Sequence, residues 1–254
     1  MASAATEPER VNNDIYSTLG ERWYEAEDDP VALLRAESRL RTPWVASHLT
    51  RVFPERACKV LDVGCGAGFL TNSLAERGHD VTGVDASAAA LEIAALHDPS
   101  ASVRYELADA ARLPYDDATF DAVCAMDLLE HVEDPRAIVR ELARVLVPGG
   151  LCFFHTFNRT FLSWLIVIKG VELFVRNTPE KMHILRLFLR PDEVTSWLHE
   201  EGVHTTELVG SRPVVNSAFL RMLVTGQVSN AFEFCFSDST QLGYTGCARK
   251  RDRQ

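Results

Sequence analysis

The sequence has no uninterrupted apolar run of ~20 residues, the length that a bilayer-spanning helix needs, so no spanning helix is expected. It has no basic excess either. Twenty-six Lys and Arg against 36 Asp and Glu leave a formal charge of −10, with an isoelectric point near 5.3. Nonspecific nucleic-acid binding needs a basic face, so no nucleic-acid partner is expected. The six cysteines, at 58, 65, 124, 152, 235 and 247, form no CxxC pair. Several fall inside expected strands, where a free thiol is a small apolar filler, and a reducing compartment is the natural setting. The opening MASAATEPERVNND lacks the apolar centre of a signal peptide and the basic bias of a transit peptide, so a cytoplasmic location is expected. Internal repeats and low-complexity tracts are absent.

What is present is an ordinary soluble composition, 46% apolar over 254 residues, enough for a single elaborated domain. Residues 1–12 read as disordered. Residues 13–53 carry helical periodicity anchored by Trp23, Leu33, Leu34, Leu40, Trp44, Val45 and Leu49, and read as an N-terminal helical cap. From Lys59 the pattern changes to short apolar runs that stop at glycine or an acid. Strands are expected at 59–64, 80–85, 103–107, 120–125 and 151–156, with helices at 68–77, 88–96 and 134–146 between them. Ser87 is placed to cap the second helix, and Pro148-Gly149-Gly150 to end the third. This alternation predicts an α/β fold, doubly wound, with a mostly parallel seven-stranded sheet. The core spans 55–155, an apolar insertion follows strand 5 over 157–190, and 191–250 holds a helix at 191–201 and strands near 203–210 and 241–249. No element is assigned to 213–238.

The strongest chemical signal is Leu61-Asp62-Val63-Gly64-Cys65-Gly66-Ala67-Gly68, lying between a strand and a helix. Glycines there let the chain turn sharply and let a ligand approach the main chain. In an open α/β sheet, ligands sit beyond the carboxyl ends of the strands. Asp85 ends the second strand, 17 residues after Gly68, where an acid can accept from both ribose hydroxyls. Asp109 and Ala110 follow the third strand, within reach of an adenine amine. Asp62, before the first glycine, suits a ligand bearing an amino group better than a pyrophosphate. A cationic sulfonium amino acid fits these features. A nicotinamide dinucleotide fits less well, because the last position of its glycine fingerprint is Phe69 here.

LDVGCGAGFL, GVDAS, FDAVCAMDLLEHVEDP and LVPGG together resemble the class I S-adenosylmethionine-dependent methyltransferases. DLLEHVEDP followed by FNRTFLSW is similar to the ubiquinone-biosynthesis O-methyltransferases, which methylate polyprenylated catechol intermediates. The resemblance implies S-adenosylmethionine as cofactor. It also implies that Arg41, in LRTPWV, contacts the cofactor carboxylate, and that Met126 packs against the adenosyl group.

Asp127, Glu130 and His131 stand at i, i+3 and i+4, one face of a helix if the segment is helical. Two carboxylates and an imidazole could ligate a divalent cation, Mg, Mn or Zn, which would lower the pKa of a bound catechol. In the resembled family the three are Glu, Glu and His, so Asp127 is one methylene shorter. Many class I methyltransferases carry Leu-Glu-His here without a metal, the histidine lining the pocket or acting as base. His155 and Asn158, at the end of the fifth strand, could face the substrate too. The segment 161–190 is apolar, with Lys169, Arg176, Lys181, Arg186 and Arg190 as cations that could meet anionic headgroups; the resemblance implies a substrate lid and a peripheral contact with the inner face of the membrane here, and a core helix or a dimer surface is the alternative. The leading expectation is O-methylation of a lipophilic phenol. Methyl transfer to another small molecule, and a non-catalytic cofactor-binding scaffold, are the alternatives.

Overall fold

The computed structural model of the protein describes residues 11–54 and 56–252. The expectation of disorder over 1–12 lies outside the described residues for 1–10. At its end, the Asn12 N–H donates to the Lys181 carbonyl at 3.0 Å.

One sheet organises the chain. Its strands are β1 (Lys59–Val63), β2 (Asp80–Asp85), β3 (Arg104–Leu107), β4 (Phe120–Met126), β5 (Leu146–Phe157), β6 (Val203–Pro213), β7 (Phe234–Ser237) and β8 (Gly243–Lys250). They lie in the order β3-β2-β1-β4-β5-β8-β6-β7. The pairs from β3 across to β5 are parallel, and the remaining three are antiparallel. The sheet is therefore mostly parallel and doubly wound, but it has eight strands rather than the expected seven. The addition is β7, a four-residue edge strand on β6 drawn from the region left unassigned.

The helices are α1 (Arg22–Glu25), α2 (Val31–Val52), α3 (Phe69–Glu76), α4 (Ala88–Leu96), α5 (Pro135–Val145), α6 (Phe161–Ser163), α7 (Val171–Phe174), α8 (Pro191–Glu200) and α9 (Ser217–Thr225). Caps set several of their starts. Ser87 Oγ accepts from the Ala90 N–H at 3.2 Å, as expected, and Asp134 accepts from the Ala137 N–H ahead of Pro135. Asn216 caps α9 in the same way, and Gly226, at φ +70°, ends it. Pro148-Gly149-Gly150 does not follow a helix end with a loop. β5 begins at Leu146, directly after α5, and runs through these residues with a register shift against β4 between Phe120 and Ala122.

Side chains alternate across the sheet and build two cores. Leu61, Val123 and Phe154 face one, with Ile138 and Leu142 of α5. Val60, Cys124 and Phe153 face the other, with Leu49 of α2 and Leu74 of α3. The insertion after β5 is a helix. α6 and α7 are joined by a π-helical stretch, Trp164–Gly170, of the kind that often marks a functional segment. Among the described residues no helix is long and apolar enough to cross a membrane.

Candidate active site

A cavity of about 1530 Å³ opens at the carboxyl ends of β1, β2 and β4. Ligand pockets usually measure roughly 300–1,000 Å³, so it has room for more than one small molecule. The glycine loop forms one wall. Gly64 and Cys65 both donate their N–H to the Val84 carbonyl, at 2.8 and 3.0 Å, which turns the chain at the sheet edge. Gly66 stands at φ +51°, and a Cβ there would lie 3.2 Å from the Trp23 ring. The indole thus lies close against bare backbone. Gly68, at φ +82°, packs against Tyr105, Ala94 and Asn72 and does not line the cavity. Its role is to shape the loop, which corrects its placement as a cofactor contact.

Asp85 organises this wall. One carboxylate oxygen accepts from the Gly66 N–H at 2.9 Å and the other from the Ser87 N–H at 2.8 Å. Each oxygen keeps a lone pair, and Asp85 lines the cavity. Asp109 and Ala110 line it from the end of β3, and Met126 from the end of β4. Asp62 also lines it, at 2% exposure, with Thr71 Oγ1 donating to it at 3.3 Å. Burial, with smaller contributions from Asp85 and Asp127, pushes its carboxyl up to about 7. A buried acid without a cation among its partners suits a ligand carrying an ammonium group.

The reaction end departs from its expected geometry. Asp127 sits at φ +57°, outside the 3-10 turn Leu129–His131, so Asp127, Glu130 and His131 do not share a helical face. Both Asp127 oxygens accept from the Arg41 guanidinium, one of them at 2.9 Å and the other closer. Arg41, expected to meet the cofactor carboxylate, lines the cavity although only 3% exposed, and its guanidinium lies between Asp127 and Glu37. Burial opposes the Asp127 charge, but the Arg41 guanidinium outweighs it and holds the carboxyl below the usual range. Glu130 is 1% exposed and does not line the cavity. Thr156 Oγ1 donates to one of its oxygens at 2.7 Å, and burial, together with the Asp127 charge, pushes the carboxyl up to about 8. Its other oxygen is buried without a hydrogen-bond partner, so Glu130 stands behind the cavity wall rather than on it.

The structure therefore does not assemble the expected metal set from Asp127, Glu130 and His131. Among the described residues, the carboxylates and imidazole that do converge, to within 4.8 Å, are Glu37, Asp127 and His155. The Arg41 guanidinium already supplies the cation between the two acids. His155 is fully buried and Asn158 donates to the Thr240 carbonyl; neither lines the cavity. His131 does line it, and burial pushes its imidazole down to about 4. Three further lining residues carry no signal in the sequence. Asn13 and Tyr16, from the turn before α1, and His183, after α7, converge on His131.

Sheet, glycine loop and strand-end acids define a class I S-adenosylmethionine-dependent methyltransferase. Residues 61–154 match a family model described as "Methyltransferase domain". The ubiquinone biosynthesis O-methyltransferase of Erwinia tasmaniensis is 36% identical over 198 residues, covering 77% of this chain and 80% of that protein. Its counterpart from Xylella fastidiosa is 32% identical over 240 residues, covering 92% and 89%. The chain belongs to the ubiquinone biosynthesis O-methyltransferase family. Among solved structures, the magnesium protoporphyrin IX methyltransferase of Synechocystis PCC 6803, with bound SAH, superposes with a TM-score of 0.59 at 18% identity. That match covers 85% of this chain and 84% of the other, and it shows the shared fold.

S-adenosylmethionine is the cofactor, and Asp62 gives its binding an expected pH signature. Burial pushes this carboxyl up to about 7, and an amino-acid ammonium placed beside it is expected to favour its ionised form. Binding below pH 7 must then release a proton, so affinity falls by up to about tenfold for each pH unit below 7. Calorimetry at pH 6 in two buffers of different ionisation enthalpy measures that proton, and Asp62→Asn should abolish the release. Buffer-independent heats in the unsubstituted protein would refute this assignment of Asp62.

Proposed function

We propose that the enzyme methylates a phenolic hydroxyl of a lipophilic, polyprenylated quinone precursor of the catechol type. The carrying observation is the continuity of the cavity. Beyond His131 it runs into an apolar half lined by Leu165, Ile166 and Phe174 of the insertion, and by Phe219, Met222 and Phe232 from α9 and the segment after it. An aromatic head group would lie near His131 and a hydrocarbon tail would fill this half. Burying the tail contributes roughly 0.8 kcal/mol per CH₂. The cofactor supplies an electrophilic methyl group. Asp62, Asp85 and Asp109 hold it, Met126 and Leu128 exclude water from it, and neutral His131 accepts the hydroxyl proton. Asp127, whose charge acts on His131, stabilises the imidazolium that results.

The same insertion exposes Phe161 (72%) and Leu173 (74%), with Lys169 and Arg176 close in sequence. Exposed apolar side chains with cations nearby in the chain support peripheral contact with the membrane that would hold such a substrate.

Turnover of catechols with and without a prenyl tail tests the reading. We expect kcat/KM to rise at least tenfold with a tail of two or more isoprene units, within the range that burial of several methylenes supplies. Equal values for the tailless catechol would end it. A chelator arm separates the metal question. Turnover that survives chelation agrees with the Arg41–Asp127 pair, whereas loss restored by Mg would show Asp127 exchanging guanidinium for metal in the loaded enzyme.

A further inference from the structure

Asn13 stands just before the 3-10 turn Asp14–Ser17, and its side chain meets His131 twice. Nδ2 donates to the His131 main-chain carbonyl at 3.0 Å, and Oδ1 stands 3.1 Å from His131 Nδ1. A carbonyl oxygen can only accept, so the first contact fixes which end of the amide is nitrogen. The other end is then an oxygen, which also only accepts. His131 Nδ1 must carry the ring proton, and in a neutral imidazole Nε2 is left bare. No protein group takes Nε2 among the described residues.

The groups around the ring agree with a neutral, fixed imidazole. Tyr16, from the N-terminal turn, meets it edge-on at 5.5 Å and 84°. His183, from the segment after α7, lies 5.3 Å away and is itself pushed down to about 3 by burial and by His131. Asp127 is the one anion whose charge acts directly on the ring, and it is tied to Arg41. An imidazole free of restraint favours the opposite tautomer, with the proton on Nε2. That form would point a proton, not a lone pair, into the cavity.

We propose that Asn13 is a positioning residue that locks His131 in the Nδ1–H tautomer and so presents a bare Nε2 to the acceptor hydroxyl. The inference rests on His131 being the base. The hydroxyl proton passes to Nε2, and the oxygen's electron pair forms the O–CH₃ bond. The CH₃–S bond breaks with its electrons staying on sulfur.

The test is a nitrogen–proton correlation spectrum of the full chain carrying ¹⁵N-histidine, at pH 7.5, beside steady-state kinetics. Asn13 is exposed, so its replacement leaves the core intact. The wild-type His131 should show Nδ1–H. Asn13→Ala should move it toward Nε2–H and lower kcat about 10–100-fold, with KM for the methyl donor within about twofold. Asn13→Asp keeps an accepting oxygen for Nδ1 but loses the donor to the His131 carbonyl, so it should restore the Nδ1–H tautomer with kcat between those of Asn13→Ala and the wild type. An Nε2–H wild-type spectrum, or an unchanged spectrum in Asn13→Ala, overturns the proposal. His131→Ala tests the base assignment separately. Full turnover there, with Nδ1–H in the wild type, would remove His131 as base and leave the tautomer lock standing.

Discussion

Asp85→Ala is expected to weaken S-adenosylmethionine binding by more than ~100-fold while the protein still folds. Each Asp85 oxygen already holds one main-chain N–H, from Gly66 and from Ser87, and retains a lone pair for a ribose hydroxyl. Hydrogen bonds to a charged group contribute about 1.5–3 kcal/mol each, so losing two contacts to the ligand removes about 3 kcal/mol or more, two decades in Kd. Alanine also leaves the two loop N–H groups without their partner. That costs stability, about 1–3 kcal/mol, and lets the loop depart from the shape that admits the cofactor. Asp85→Asn separates the effects. Its amide oxygen serves one N–H while its NH₂ opposes the other, so both losses should be intermediate. Titration calorimetry and urea unfolding read the two quantities. A Kd within about fivefold of wild type in Asp85→Ala would show that this carboxylate does not carry the nucleoside.

This loop was legible in the sequence because everything that makes it is local. A buried strand must end, glycine permits the turn, and the strand-end acid falls at a spacing that the fold dictates. The first five strands were legible for the same reason, since parallel strands covered on both faces read as short apolar runs. β7 was not. It is an edge strand of four residues, FCFS, paired on one side, and its half-buried side chains leave no period to read.

The reaction end is not legible in the sequence, for two physical reasons. The i, i+3, i+4 spacing implies a shared face only on an α-helix. Here a left-handed residue precedes a 3-10 turn, and the three side chains separate. The decisive partners are also remote. Arg41 meets Asp127 across 86 positions and Asn13 meets His131 across 118, and nothing local in either segment signals the pairing.

Arg41→Leu should be among the most destabilising single substitutions, at about 3–5 kcal/mol at pH 7.5, because it removes one partner of a buried ion pair and leaves the other. Two carboxylates share this guanidinium, Asp127 through both oxygens and Glu37 at 3.8 Å. Burial already pushes the Glu37 carboxyl up to about 7 against the pull of Arg41. Without the cation the Glu37 carboxyl rises further above its unfolded value, and the Asp127 carboxyl, now held below its own, rises as well. A carboxyl raised in the folded state contributes stability at low pH and loses it as pH increases, so the deficit should shrink by pH 6. His155 works in the same direction. Burial, and after it the Arg41 charge, push it down to about 3, so removing Arg41 lifts the smaller of the two causes and leaves the pull of Asp127, 3.5 Å away, unopposed by that cation. Asparagine tolerates the left-handed backbone at 127, so Arg41→Leu with Asp127→Asn should recover about 2 kcal/mol, a coupling that distant sites do not show. Urea unfolding of the single and double variants at pH 7.5 and 6.0 measures all three quantities. A deficit below about 1 kcal/mol, or one that is equal at both pH values, would mean that the buried acids find other partners and that Arg41 is not what holds Asp127 ionised.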